Sequence, residues 1–159
     1  MRAASNLITE PADRVLKITR VFDAPRSLVF KAWTESEHMA RWWGPRGFTS
    51  TVLKNDPRPG GAYRIHMRGP DNDDHWSQGV YREFVPPERL VMVGSWADAQ
   101  GNPTRPETTL TLLFEDVGGK TRLTLHNAIF ESVTARDMHN TGWSSSLDSL
   151  ADYLAMAKD

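Results

Sequence analysis

The chain carries five histidines, His38, His66, His75, His126 and His139, and their spacing is a first test of the chemistry it can do. A zinc-binding pair on one helix face needs i,i+4 spacing, which no two of them have, so no metal site is expected. Cysteine is absent, which removes thiol nucleophiles, disulfides and thiolate-held metals and suits a reducing cytosol. Asp71, Asp73 and Asp74 look briefly like a calcium loop, but no glycine occupies its sixth position and Met67 to Asp74 fits a solvated hairpin turn. Gly60-Gly61 precedes a strand and no Gly-Lys-Ser/Thr occurs, so nucleotide hydrolysis has no phosphate cradle. Ser144 to Ser146 fall within a helical stretch, not in a nucleophile elbow. No cofactor is expected, and no residue is assigned a catalytic role.

What remains for catalysis is general acid–base chemistry by polar groups reaching an apolar cavity, where desolvation shifts their pKa values. Asn127, His139, Glu83 and Tyr81 are the groups to test. His139 lies one turn before Trp143 on the apolar stripe of the last helix, which aims its ring at a cavity mouth. His66 and His126 alternate away from the apolar strand faces and are expected in solvent.

The elements that position these groups are readable from periodicity. Arg14 to Phe22 alternates imperfectly and predicts a first strand. Asp23 as N-cap, Pro25 in the first turn and the stripe Val29, Phe30 and Trp33 predict a short helix. Thr34-Glu35-Ser36-Glu37 fits a capping box that opens a second helix, running through Met39 and Trp42 to Gly44-Pro45. Six strands follow as an antiparallel meander: Thr49 to Lys54, Ala62 to Met67, His75 to Phe84, Arg89 to Trp96, Thr108 to Asp116 and Lys120 to Ile129. The last stretch, from Ser132 or Thr134 to about Ala157, sets Trp143, Leu147, Leu150 and Leu154 on one helical face. Gly142 interrupts it, which implies close approach to the backbone by a side chain or a ligand, and it reads first as a packing glycine.

The fold class is therefore α+β: a curved antiparallel sheet of six to seven strands wrapped around a long C-terminal helix, with two short helices after the first strand. A bent sheet and a straight helix diverge along part of their length, leaving space that side chains fill or a ligand takes. The expected lining is Tyr63, Ile65 and Met67 from one strand, Leu112 and Phe114 from a second, and Leu125 and Asn127 from a third. His139, Trp143 and Leu147 face them from the helix. Trp43, Phe48, Trp76, Tyr81 and Trp96 complete the wall, each indole offering a donor. Between His75 and Phe84, and again between Arg89 and Trp96, both phases are bulky, so the inward face of neither strand can be chosen.

With 159 residues, 39% hydrophobic and 25% charged, the chain suits one domain, residues 13–159, behind a loose tail, residues 1–12, that is neither signal nor anchor. No run approaches the ~20 apolar residues of a membrane span. Nineteen basic against twenty acidic residues leave a net charge of -1, which argues against nucleic acid or an anionic membrane as partner. A soluble, cytoplasmic protein is expected, its partner a hydrophobic small molecule. A homodimer through an exposed strand or patch stays open.

Four runs, TESEHMARWWGPRGFT from Thr34, DPRPGGAYRIHMRGP from Asp56, PPERL from Pro86 and HNTGWSSSLD from His139, resemble the activator of heat-shock-protein-90 ATPase homologue family. That family belongs to the START-like, birch-pollen-allergen-like helix-grip superfamily, and the resemblance covers about residues 12 to 157 in unbroken order. It implies the helix-grip fold around a cavity. Superfamily members bind lipids, polyketides and hormones, and some are cyclases or hydrolases, so it implies a ligand site with an enzyme of cyclase or hydrolase type as the alternative. A chaperone contact is the third reading. The eukaryotic co-chaperone resembles this chain only in its C-terminal domain, and no catalytic motif transfers residue by residue.

Overall fold

The computed structural model describes residues 11–157, so the expected tail lies outside it except for Pro11 and Ala12. A 3-10 turn, Ala12–Arg14, leads into β1 (Leu16–Phe22), followed by α1 (Arg26–Thr34) and α2 (Ser36–Trp42). The meander is β2 (Thr49–Asn55), β3 (Ala62–Arg68), β4 (Asp74–Val85), β5 (Arg89–Ala97), β6 (Thr108–Val117) and β7 (Lys120–Ala128), and α3 (Val133–Ala157) ends the chain. The strands form one seven-stranded antiparallel sheet in the spatial order β1-β7-β6-β5-β4-β3-β2. Each neighbour in space is the neighbour in sequence except β1, which closes the edge against β7.

Two helix starts differ from expectation. Pro25, not Asp23, is the N-cap of α1, and no side chain caps it. Thr34 does not open a capping box: it ends α1, buried, and its hydroxyl donates to the Phe30 carbonyl at 2.9 Å. A residue with helical geometry cannot serve as the extended cap that the motif requires. Ser132 does cap α3, its hydroxyl accepting from the Ala135 amide at 3.0 Å.

Register decides which side chains face inward. Tyr63, Ile65 and Met67 of β3 pair with Gly79, Ser77 and His75 of β4, and Gly79 and Ser77 pair in turn with Gly94 and Trp96 of β5. A bulge at Arg82 resets the phase, so Tyr81 and Phe84 both point inward. The sheet is pinched where Gly79 faces Gly94: a Cβ on either would lie 2.2 or 2.3 Å from a carbonyl oxygen of the opposite strand. Only glycine permits that approach.

One end of the concave face is closed by α1. Phe30 meets Phe84 and Phe114 edge to face, at centroid separations of 5.3 and 5.2 Å. Above it Trp33 is fully buried among Trp42, Trp43 and Trp143, at 4.7, 5.5 and 5.6 Å. Leu147, Leu150 and Leu154 of α3 complete this core. Among the described residues no helix is long and apolar enough to cross a membrane.

Candidate functional site

The opposite, open end of the concave face is built differently. His75, Ser77 and Gly79 of β4 and Gly94 and Trp96 of β5 face inward by register, yet all are half-buried, whereas Ile65, Met67, Leu110 and Leu112 on either side are buried. Small residues there leave strand backbone bare. On α3, Gly142 lies one turn after His139 and one turn before Ser146, so it shares their side of the helix. A Cβ built on Gly142 would meet nothing within 4 Å. Gly142 is thus not the close-packed glycine expected but one that leaves room. These half-buried residues mark the less closely covered part of the concave face, a crevice where Trp96 of β5 meets His139 in the first half of α3.

Tyr63 forms the floor. Its ring crosses from β3 so that the hydroxyl would stand 2.7 and 2.4 Å from a Cβ on Gly79 and Gly94. The residue is only 6% exposed, and its hydroxyl makes no hydrogen bond to any described residue. Burial, assisted by the charge of Glu107, raises its pKa well above 10, so it remains a donor at neutral pH. Ser77 likewise makes no hydrogen bond to a described residue. At the rim His75 shares Nε2 with an Asp73 carboxylate oxygen at 2.6 Å, and its ring lies 6.0 Å from those of Phe48 and Trp96. That bond holds the Asp73 carboxyl below the usual carboxylate range.

The groups considered for acid–base chemistry are otherwise engaged. His139 Nδ1 sits 2.7 Å from the Ala135 carbonyl and must carry a proton, while Nε2 accepts from Trp96 Nε1 at 2.9 Å. Neither ring nitrogen is spare. Asn127 donates to Thr108 Oγ1 and the Thr109 carbonyl and accepts from Trp143 Nε1 at 3.3 Å. Tyr81, fully buried, donates to Asn55 Oδ1 at 2.6 Å. Glu83 faces outward and pairs with Arg89 at 2.8 Å, away from the crevice.

Of the expected lining, Trp43, Tyr63, Ile65, Met67, Tyr81, Leu112, Phe114, Leu125, Asn127 and Leu147 are buried on the concave side, where most pack against one another rather than around a closed cavity. The four indoles supply the volume that fills it. Phe48, Trp96 and His139 stand partly buried toward the open end, and Trp143, also partly buried, packs against Trp33 and Trp43. Trp76 is the correction: β4 turns it to the convex face, stacked on His66 at 5.0 Å with the Arg64 guanidinium 5.9 Å away. The inward phase of β4 is the small one, which bulk alone could not reveal. His66 and His126 are half-buried, not fully in solvent. Gly79 and Gly94, glycines within strand patterns, were the available signal for the crevice.

Two further hollows are shallow. One of about 350 Å³ is lined by Trp43, Gly44, Phe48 and Ser149, and another of about 490 Å³ by Arg26, Arg89 and Phe114. Glu35, Glu37 and His38 bring ligand atoms within 4.8 Å of one another on the surface of α2 and could hold a cation there. None belongs to the crevice.

The architecture has close counterparts. A protein of Chromobacterium violaceum is 26% identical with a TM-score of 0.80, covering 89% of this chain and 96% of its own. One from Staphylococcus epidermidis is 27% identical, with a TM-score of 0.79 and 94% of both chains covered. One from Arthrobacter aurescens, 24% identical over 91% of this chain and 87% of its own, has a TM-score of 0.82 and speaks for the fold alone. Among curated proteins none matches. The family model of the Activator of Hsp90 ATPase homolog 1-like protein matches residues 23–155, from the end of β1 to the last turn of α3, and the chain belongs to that family.

Proposed function

We propose that the chain binds an apolar or amphipathic small molecule in the crevice between β3 to β5 and α3. The observation that carries this reading is the Tyr63 hydroxyl, which makes no hydrogen bond to a described residue and lies over Gly79 and Gly94 on the half-buried part of the concave face. A ligand oxygen completes a donor that the chain leaves without a partner, and small residues on the strands let a ligand approach closely. Aromatic faces at Phe48 and Trp96 supply apolar surface beside it.

The neutral dye Nile red tests the reading. Wild-type protein is expected to bind it with a blue-shifted emission, and Gly142→Leu, which fills the open side without touching the core, is expected to weaken binding at least about tenfold. Equal binding by the two proteins, with the circular dichroism of both unchanged, would reject the crevice as the site.

A further inference from the structure

We infer that the crevice selects a neutral, flat molecule carrying a carbonyl-type oxygen, which accepts the hydrogen bond of the Tyr63 hydroxyl, and that it rejects carboxylate ligands. This rests on the binding reading above and adds the chemistry of the occupant.

Charge decides against an anion. Of the arginines on β3 to β5 and α3, Arg64 is held by Gln78 and the Asp98 and Ala99 carbonyls, Arg68 by Asp74, Arg89 by Glu83 and Arg136 by Asp137, and Arg82 sits exposed in the bulge of β4. His75 at the rim is matched by the Asp73 carboxylate, and both nitrogens of His139 are satisfied. The charge felt by the Tyr63 hydroxyl is the negative one of Glu107. A carboxylate entering here would lose its hydration, meet no cation and face a like charge. An oxygen that is uncharged and only accepts meets none of these costs and takes the hydrogen bond that the Tyr63 hydroxyl has to give.

Hydrogen-bond polarity decides the rest. A protonated phenol gives an acceptor one well-defined partner. Its neighbours on the floor are the bare backbone of Gly79 and Gly94, which offers no side chain to contest the position. The partly buried rings of Phe48 and Trp96 favour a flat outline, since aromatic faces pack best on flat apolar surface.

Three probes of nearly one shape separate the possibilities: fluorene, fluorenone and fluorene-9-carboxylate, titrated by calorimetry into wild type, Tyr63→Phe and Gly142→Leu. Wild type is expected to bind fluorenone about tenfold more tightly than fluorene and the carboxylate more weakly than either. Tyr63→Phe is expected to abolish the preference for fluorenone while leaving fluorene unchanged, and the carbonyl stretch of bound fluorenone should lie lower in wild type than in that variant. If all three bind, and Gly142→Leu weakens all three, but fluorenone shows no preference dependent on Tyr63, the inference falls and the binding reading stands. If none binds wild type, or Gly142→Leu weakens none, both fall.

Discussion

At the closed end of the concave face Phe30 lies edge to face against Phe84 and Phe114, whereas at the open end Gly79 faces Gly94 and the Tyr63 hydroxyl has no partner among the described residues. Both ends lie on the inward face of one sheet, so curvature alone does not make a cavity. What differs is volume supplied from outside the sheet. α1 brings Phe30 and Trp33 to one end, and α3 brings Gly142 toward the other. Such a sheet stays less closely covered only where the covering helices present small residues, and here that is one end.

The largest expected effect lies at the closed end. Phe30→Ala removes a ring that touches two others and should cost about 3–5 kcal/mol, read as a lowered urea midpoint. Tyr63→Phe at the open end deletes only a hydroxyl without a hydrogen bond, and should shift stability by less than about 1 kcal/mol in either direction. Comparable losses in the two variants would mean that the Tyr63 hydroxyl is bonded after all, and the contrast between the ends would fail.

The glycines split the open end itself. Gly94→Ala places a Cβ 2.3 Å from the Gln78 carbonyl and 2.4 Å from the Tyr63 hydroxyl, so strand or ring must shift, at roughly 1–3 kcal/mol. Gly142→Ala meets nothing and gains helix propensity, so it should stabilise by up to about 1 kcal/mol. Thermal melts of the two should move in opposite directions. A destabilised Gly142→Ala would show that α3 is packed tightly there.

The same contrast explains what the sequence could disclose. The strands, both short helices and the long one were readable because their apolar periods run over many residues. The closed-end core was readable for the same reason: Phe30, Phe114 and Leu125 sit in phase. The site was not, because it consists of what is small. Gly79 and Ser77 carry no hydrophobic signal, so the bulky Trp76 drew attention to the wrong phase of β4. The engagement of His139 by Ala135 and Trp96, and of Asn127 by Thr108 and Trp143, depends on contacts between elements that no local pattern encodes.

Alkaline pH probes the two buried phenols. Burial raises the pKa of Tyr63 and of Tyr81 above 10, with Glu107 adding to the first and Tyr63 to the second. In the unfolded chain both ionise near pH 10, so the unfolded state binds fewer protons above that pH and stability falls as pH rises. The contribution is fully present below about pH 10, and each such phenol costs about 1.4 kcal/mol per pH unit beyond it. Urea midpoints at pH 8 and pH 11 should differ less in Tyr63→Phe than in wild type. An unchanged difference would place the hydroxyl in contact with water, enlarging the open end.

The weakest effects belong to the ion pairs that fasten α3 over the crevice. Arg46 meets Asp152 at 2.6 Å, but the side chains are 59% and 66% exposed, so water and salt screen the pair and Arg46→Gln should cost less than about 0.5 kcal/mol. Arg20 meets Asp148 at 2.7 Å with 28% and 48% exposure, and its second nitrogen lies 3.4 Å from the Ser144 carbonyl, so Arg20→Gln should cost more, up to about 1 kcal/mol. The order follows from position: Arg20 reaches α3 from β1, beneath the helix, whereas Arg46 reaches it from the loop beside Phe48 at the crevice edge. That loop retains a neutral link, the Arg46 amide donating to Ser145 Oγ at 2.9 Å, which the substitution leaves in place. Urea midpoints in 0.05 and 0.5 M salt separate the two contributions, because only the ion pair is screened. If Arg46→Gln cost more than Arg20→Gln at both salt concentrations, the crevice edge would be the more firmly held side of α3, and access to Tyr63 would then require that loop to move.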